Sequence, residues 1–331
     1  MMKERFEGID GLKAYAILGI ALMHVLANGN FDLNGFIFDD LISSFTNLVF
    51  LFMMVSGFGM CCGYYQKILD QQISVEEFYK KRYMKIWPYF ALLCLLDFVI
   101  SPSKESLFEV FANLTLAQGL LPNANISVIG VSWTLAVIFV FYMLFPFFCF
   151  LIQNKRRAWG VALIAFIFNW LCSSYFDATR TNIIYDAIYF ICGGLIFLYR
   201  KELSDFASKK KIVIGGILMI SVITYFILGH STITMLFFCV AALVYTLGCN
   251  RGGVLVNPVA KFLGSISFEI YLCHMVIYRM LEKLHLVHLF GDGVFAYIFT
   301  AVAVICGSVV FSLCAKWFLN KILNYRRVSN V

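Results

Sequence analysis

The chain reads as an all-α polytopic membrane bundle of about ten transmembrane helices, and three observations predict it. Hydrophobic residues make up 61% of its 331 positions against 14% charged, with a mean hydropathy of +0.84, far from a soluble mixture. Apolar runs long enough to cross a ~30 Å hydrocarbon layer recur along nearly the whole chain. The net charge of +7 is distributed unevenly. With the N-terminus in the cytoplasm, every Lys and Arg except Lys104, Arg180, Arg279 and Lys283 falls at an inner end or inner loop, which is the asymmetry that orients membrane helices. The positive charge therefore reads as topology and not as a nucleic-acid surface.

Ten spans are predicted, at 9–27, 45–65, 86–101, 132–152, 158–175, 183–199, 212–229, 233–249, 262–282 and 294–315. The first lacks a small-residue cleavage site and reads as a retained helix. The second carries Ser56-Gly57 amid aromatics, a small pair that lets another backbone approach closely. The third follows the cluster Lys80-Lys81-Arg82-Tyr83-Met84-Lys85 and opens with Ile86-Trp87-Pro88, an interfacial tryptophan and a proline suited to a helix start. Between 102 and 131, Ser-Pro-Ser breaks the chain and an amphipathic piece, 107–121, reads as surface-lying or re-entrant before Pro122-Asn-Ala-Asn. The sequon at Asn113 is given no weight. The fourth span opens on Trp133-Thr134-Leu135 and turns Tyr142 inward. Lys155–Arg157, Arg200-Lys201, Lys209–Lys211, Arg251 and Lys261 punctuate the next spans on the inner side. An even number of spans places both termini in the cytoplasm, and no polar stretch is long enough for a separate soluble unit. A single integral-membrane domain over 1–331 is expected. The eleven cysteines lie mostly singly in apolar runs, as small buried hydrophobes, and no convincing metal-ligand set is present.

His24 is the first residue with chemistry to offer, because an imidazole is costly in hydrocarbon unless it faces a bundle interior or wet cavity, and its neutral ring can accept a proton. Bonding to a neighbouring helix is the competing reading. Lys13 precedes it by eleven positions, a rise of about 16 Å along a helix, so one rod places a cation near one face and a proton acceptor deep inside, a span fit for a long charged cofactor. Arg82 and Lys85 put phosphate-binding charge at the inner mouth, where ordinary positive-inside anchoring competes. In the ninth span Ser267, Tyr271 and His274 share one stripe and Glu269 sits within the apolar run. Glu269 is expected to pair with a buried cation such as Lys13, or to stay protonated. Asp97 and Asp186 are expected to line cavities, and His230, His285 and His288 to be solvated.

Taken in order, these segments resemble the integral-membrane acyltransferase family 3: Arg5-Phe-Glu-Gly-Ile-Asp10-Gly-Leu-Lys13 with His24, Phe52-Met-Met-Val-Ser56-Gly57-Phe58, Lys81-Arg82 through Pro88, Trp133-Thr-Leu with Phe141-Tyr142, and Ile266-Ser-Phe-Glu-Ile-Tyr-Leu-Cys-His274. The resemblance implies transfer of an acetyl or other short acyl group from cytoplasmic acyl-CoA, with acetyl-CoA the simplest donor, to a hydroxyl of a cell-surface or lipid-linked carbohydrate. It implies a multi-pass protein of a bacterial plasma membrane, in contact with membrane lipid, with no metal and no nucleic acid. Carried over by position, His24 is the general base; Tyr142, Glu269 and His274, from their placement within the spans, are further catalytic candidates. Lys13, Arg82, Lys85 and Ser56 line the acyl-CoA site. Lys13 and Lys85 stand where arginine is usual, and Ile138 stands where many members have a glutamate. That last departure keeps a transporter or polysaccharide exporter on the same scaffold as the alternative.

Overall fold

The structure is a computed structural model describing residues 6–121, 126–249 and 252–323. The expectations resting on Lys3, Arg5, the Pro122-Asn-Ala-Asn break, Arg251, Arg326, Arg327 and the two termini lie outside those residues. Among the described residues all regular structure is helical. In chain order the α-helices are α1 (Gly8–Asn28), α2 (Leu48–Met60), α3 (Gln66–Leu69), α4 (Val75–Ile100), α5 (Lys104–Thr115), α6 (Ser132–Leu151), α7 (Lys155–Ser174), α8 (Ile183–Leu198), α9 (Arg200–Lys209), α10 (Lys211–Ile227), α11 (Thr232–Leu247), α12 (Pro258–Ser265), α13 (Ser267–Lys283) and α14 (Val294–Leu323).

Among the described residues six helical stretches are long and apolar enough to cross a membrane, and eight if the bent pairs α8–α9 and α12–α13 each count as one span. The apolar helices α10 and α11 are shorter, at 17 and 16 residues. Large apolar side chains such as Val99, Phe147, Ile212 and Val310 face outward, as a lipid-facing belt requires. The helices satisfy their backbone polar groups internally, the condition for standing in hydrocarbon.

Lipid tails are as apolar as leucine, so close packing and not hydrophobic burial must hold such helices together. At the α2–α8 crossing Ser56-Gly57 meets that need as expected. A Cβ on Gly57 would lie 2.4 Å from the Phe190 carbonyl oxygen, and one on Gly193 would lie 2.2 Å from that of Met54. Gly57→Val is expected to separate the two helices and cost about 1–3 kcal/mol, read as a lowered thermal-unfolding midpoint of the detergent-held protein. Flanking the crossing, Phe50 stacks on Tyr189 at 4.5 Å and Phe141 on Phe190 at 4.2 Å. Helix α1 is central, packing against α2, α11, α12, α13 and α14.

The second span, expected at 45–65, is a longer helical stretch from Ile37 to Leu69, and three further boundaries differ from the sequence reading. The third span begins not near 86 but at Val75, where Ser74 accepts a hydrogen bond from the Glu77 amide and Glu76 and Glu77 occupy the first turn, a strong helix start. The basic cluster therefore lies within the helix, and Pro88 sits in its interior, which membrane helices tolerate. The span at 262–282 is two helices bent by 73° at Ile266. The last helix continues beyond 315 to Leu323.

The amphipathic segment lies across the bundle as α5, with Phe108 and Phe111 outward and Val110 and Asn113 buried. Asn113 donates to the Val128 carbonyl and accepts from Ser132 at 2.7 Å and Gln118 at 3.0 Å, so the sequon offers no accessible amide. Glu109 accepts from Ser127 and Val128. Slight burial pushes its carboxyl up, but these hydrogen bonds and the Arg279 charge outweigh it and hold the group below its ordinary 4.5. The clamp on 127–128 is therefore complete above that value and is lost as pH falls through the lowered one. The protection of the Ser127 and Val128 amides from exchange, taken relative to the intrinsic rate at each pH, is expected to fall only under acid.

Asp97 lies outside the two cavities described below. It is 3% exposed and holds the Arg279 guanidinium at 2.7 and 2.8 Å, because a carboxylate buried among helices needs a counter-charge. Asp97→Asn is expected to lower stability by about 1–3 kcal/mol, less than for a fully buried pair because Arg279 can rehydrate. A thermal-unfolding comparison with wild type checks it.

Candidate functional site

Five cations gather where the Lys13 end of α1 meets α2, α4, α13 and α14. They share a cavity of about 470 Å³. Lys13 comes from the first turns of α1, Lys67 from α3, Arg82 and Lys85 from one turn of α4, and Lys316 from α14. Asp10 holds Lys13 at 2.8 Å, and Glu269 holds Lys316 at 2.8 Å. The expected Glu269–Lys13 pairing is thus corrected: an i,i+3 carboxylate on its own helix satisfies Lys13, and α14 extends far enough to bring Lys316 to Glu269.

Arg82 is the most constrained of the five. Its residue is 5% exposed, and its Nη2 donates to the Tyr64 hydroxyl at 2.5 Å. Its guanidinium carbon lies 4.6 Å from the Tyr64 ring centroid and 5.9 Å from that of Tyr142. Among the described residues its Nε has no hydrogen-bond partner. A buried guanidinium resting on two aromatic faces with an unused N–H is short of an acceptor, and an anionic group in the cavity would supply it. Tyr64 reaches it because α2 does not end at Met60 but continues through a π-helical segment, Cys61–Tyr65, whose extra residue per turn re-aims the side chains. The bend at Ile266 acts in the same direction. It starts α13 at Ser267 on the cavity wall, so the positive end of a 17-residue helix adds to the cations.

Deeper in, the cavity passes Ser56, Ile138 and Tyr142 and reaches Thr134 and Tyr271. The Tyr271 hydroxyl donates to Thr134 Oγ1 at 2.9 Å and approaches the Val131 carbonyl at 3.2 Å. Ser56 and Tyr142 share this stretch of the wall. Behind Tyr271 stand the two histidines. The His274 ring centroid lies 5.9 Å from that of Tyr271 and 5.2 Å from that of His24. His274 is fully buried, and its Nδ1 meets two carbonyl oxygens, of Tyr271 at 2.7 Å and Ile270 at 3.3 Å. Carbonyls only accept, so Nδ1 carries the proton and Nε2 its lone pair. Among the described residues that Nε2 has no partner.

Every site residue singled out in the sequence falls on this cavity or on the histidine pair behind it. Sequence reasoning did not single out Tyr64, Lys67 or Lys316. Lys67 and Lys316 had been read as inner-end anchors, and the available signal was their position immediately after apolar runs. No local pattern marks Tyr64. Asp186 is fully buried with both oxygens unpartnered among the described residues, outside the linings of the two cavities described here. His230 is exposed, as expected, and stacks on Tyr225 at 4.4 Å. His288 pairs with Asp292 at 2.7 Å.

A second cavity, of about 520 Å³, lies at the opposite end of α2, beside Asn47 and Phe50. Arg180 on its wall rests 5.3 Å from the Trp133 ring, and Trp133 is the chain neighbour of the first cavity's Thr134. Among the described residues no three His, Cys, Asp or Glu side chains are grouped as metal ligands. A family model described as an acyltransferase domain matches residues 6–316. No curated protein and no solved structure matches the chain.

Proposed function

Because the chain belongs to acyltransferase family 3, a membrane-type acyltransferase, we propose that it takes a short acyl group, acetyl in the simplest case, from acyl-CoA and passes it to a carbohydrate hydroxyl. The observation that carries this reading is the buried, acceptor-short Arg82 in a cavity ringed by Lys13, Lys67, Lys85 and Lys316. Its residues fit the phosphates of a nucleotide thioester. The cavity continues past Ser56 and Tyr142 to Tyr271, whose ring lies 5.9 Å from that of His274, a direction a long thin arm would follow.

The chemistry assigned to the chain's own groups is short. His24 takes the proton of the acceptor hydroxyl as its oxygen attacks the thioester carbonyl carbon. The carbon–sulfur bond breaks, and His24 returns the proton to the leaving thiolate. Tyr142, Ser56 or Tyr271 donates to the oxygen that gains charge. His274 offers a fixed lone pair to the His24 ring, directly or through a water, and so selects the tautomer His24 presents. Glu269 positions Lys316. Direct transfer and an acyl-histidine intermediate satisfy the same balance, and trapping labelled protein in the absence of acceptor separates them.

In this reading residues 1–331 form one membrane domain, with ten spans if α10, α11 and each bent pair are counted. Both termini and the cationic cavity face the cytoplasm of a bacterial cell, where acyl-CoA resides. The acceptor is a cell-surface or lipid-linked glycan arriving from the other side. The test is acyl-CoA-dependent acylation of a glycan panel by nanodisc-held protein. Ile138 on the cavity wall, where many relatives carry a glutamate, favours the exporter as second reading. Glycan movement without any acyl donor, together with no acyl-CoA binding, would replace the enzyme by that exporter.

A further inference from the structure

We propose that the second cavity binds an acidic carbohydrate acceptor, its ring against Tyr185 and Tyr189 and its acid group, carboxylate or phosphate, on Arg180. The inference rests on the acyltransferase reading above and narrows it. Arg180 is held in place: its Nη1 donates to Thr46 Oγ1 at 3.0 Å and its guanidinium lies over Trp133 at 5.3 Å. Among the described residues it forms no ion pair, and Asp177, exposed on the same lining, does not reach it. A guanidinium oriented in this way at the edge of an apolar bundle presents an unused fork, and carboxylates and phosphates match that fork in two bonds.

A second, independent feature points to a ligand. Tyr189 is fully buried and lines the cavity, and its hydroxyl has no partner among the described residues. Its ring is fixed by stacking on Phe50 at 12°. Much of the remaining wall is hydroxyl and amide, from Asn47, Ser173, Thr179, Thr181 and Ser231. A rigid aromatic floor, an unsatisfied phenol, many small polar groups and one oriented cation together suit a hydroxylated ring that carries an acid.

The cavity also lies where an acceptor must be. Trp133 under Arg180 adjoins Thr134, which bonds Tyr271, whose ring leads to His274 and His24. Asp186, one turn before Tyr189, is enclosed and outside the lining, so its carboxylate is not presented to the ligand.

Equilibrium dialysis of labelled sugars with the full nanodisc-held chain tests the proposal without requiring turnover. Methyl glucuronoside and glucose 1-phosphate probe the two acids, and methyl glucoside is the neutral control. At least one acid sugar is expected to bind about tenfold or more tighter than the control, consistent with one charge-assisted pair, and the stronger of the two identifies the acid. Arg180→Gln is expected to erase the preference, and Arg180→Lys to keep part of it, with acetyl-CoA binding at the first cavity retained as proof of folding. Equal binding of acid and neutral sugars by wild type, or a preference that survives in Arg180→Gln, would overturn the proposal. Loss of the acyltransferase reading shows separately, as absent acetyl-CoA binding.

Discussion

His24→Gln is expected to lower the turnover number for acyl transfer by about 10²–10⁴-fold, the range for removing a general base, while acyl-CoA affinity stays at the wild-type level. The physical ground is separation. His24 lies eleven residues, about 16 Å of helix, beyond Lys13 and is outside the lining of the cationic cavity, so its ring adds nothing to phosphate binding. Glutamine keeps a polar tip of similar reach but cannot take up a proton at neutral pH. His274→Gln, by contrast, keeps a proton acceptor in the bundle but removes the lone pair fixed by the Tyr271 carbonyl. A smaller fall in turnover with a changed pH–rate profile is expected there. Pre-steady-state acylation together with equilibrium acetyl-CoA binding distinguishes the two variants. Loss of binding and turnover together in folded His24→Gln would remove His24 from the chemistry.

Arg82→Met is expected to raise the dissociation constant for acyl-CoA by about 10–100-fold, the equivalent of one strong charge-assisted hydrogen-bonded pair at ~1.5–3 kcal/mol, with little change in turnover at saturation. Methionine preserves much of the apolar stem that packs on Tyr64 while removing the charge and the unpartnered Nε. Arg82→Lys is expected to fall between, because it keeps the charge but loses the planar fork. Isothermal titration with CoA and with dephosphorylated pantetheine checks the assignment. The variant should weaken only the phosphate-bearing ligand. Equal weakening of both would mean that Arg82 shapes the wall and does not read phosphate.

Which parts of the site were legible in the sequence follows from how each residue announces itself. His24, Glu269 and His274 stand out because ionisable groups in apolar runs are costly, and Lys13 and His24 share one helix, so their spacing survives folding unchanged. Arg82 was visible as part of a basic cluster. Its burial was not, because that depends on helix α4 starting at Val75 and so carrying the cluster inside the bundle. Tyr64 was invisible: a tyrosine beside Tyr65 after Cys61-Cys62 looks like an interfacial aromatic until the π-helical segment turns it toward Arg82. Glu269 was assigned the wrong cation because helical periodicity relates residues on one helix and says nothing about how far a distant helix extends.

The same division holds for the whole molecule. By itself the sequence determined that the chain is helical and membrane-embedded, where nearly all the apolar runs lie, which family it belongs to, and which ionisable groups carry an energetic cost that function must justify. Those properties are local: they depend on composition, on period and on the charge flanking each run. Only the tertiary structure decided that the last bent helix pair, α12–α13, breaks at Ile266, that five cations from four separate helices meet around one cavity, and that two histidines 250 residues apart stand 5.2 Å from each other. It also decided that Arg180 faces a cavity of its own. These are properties of helix–helix contact, set by close packing at positions such as Gly57 and Gly193, and packing geometry in a lipid environment cannot be read from the apolar character of the helices that share it.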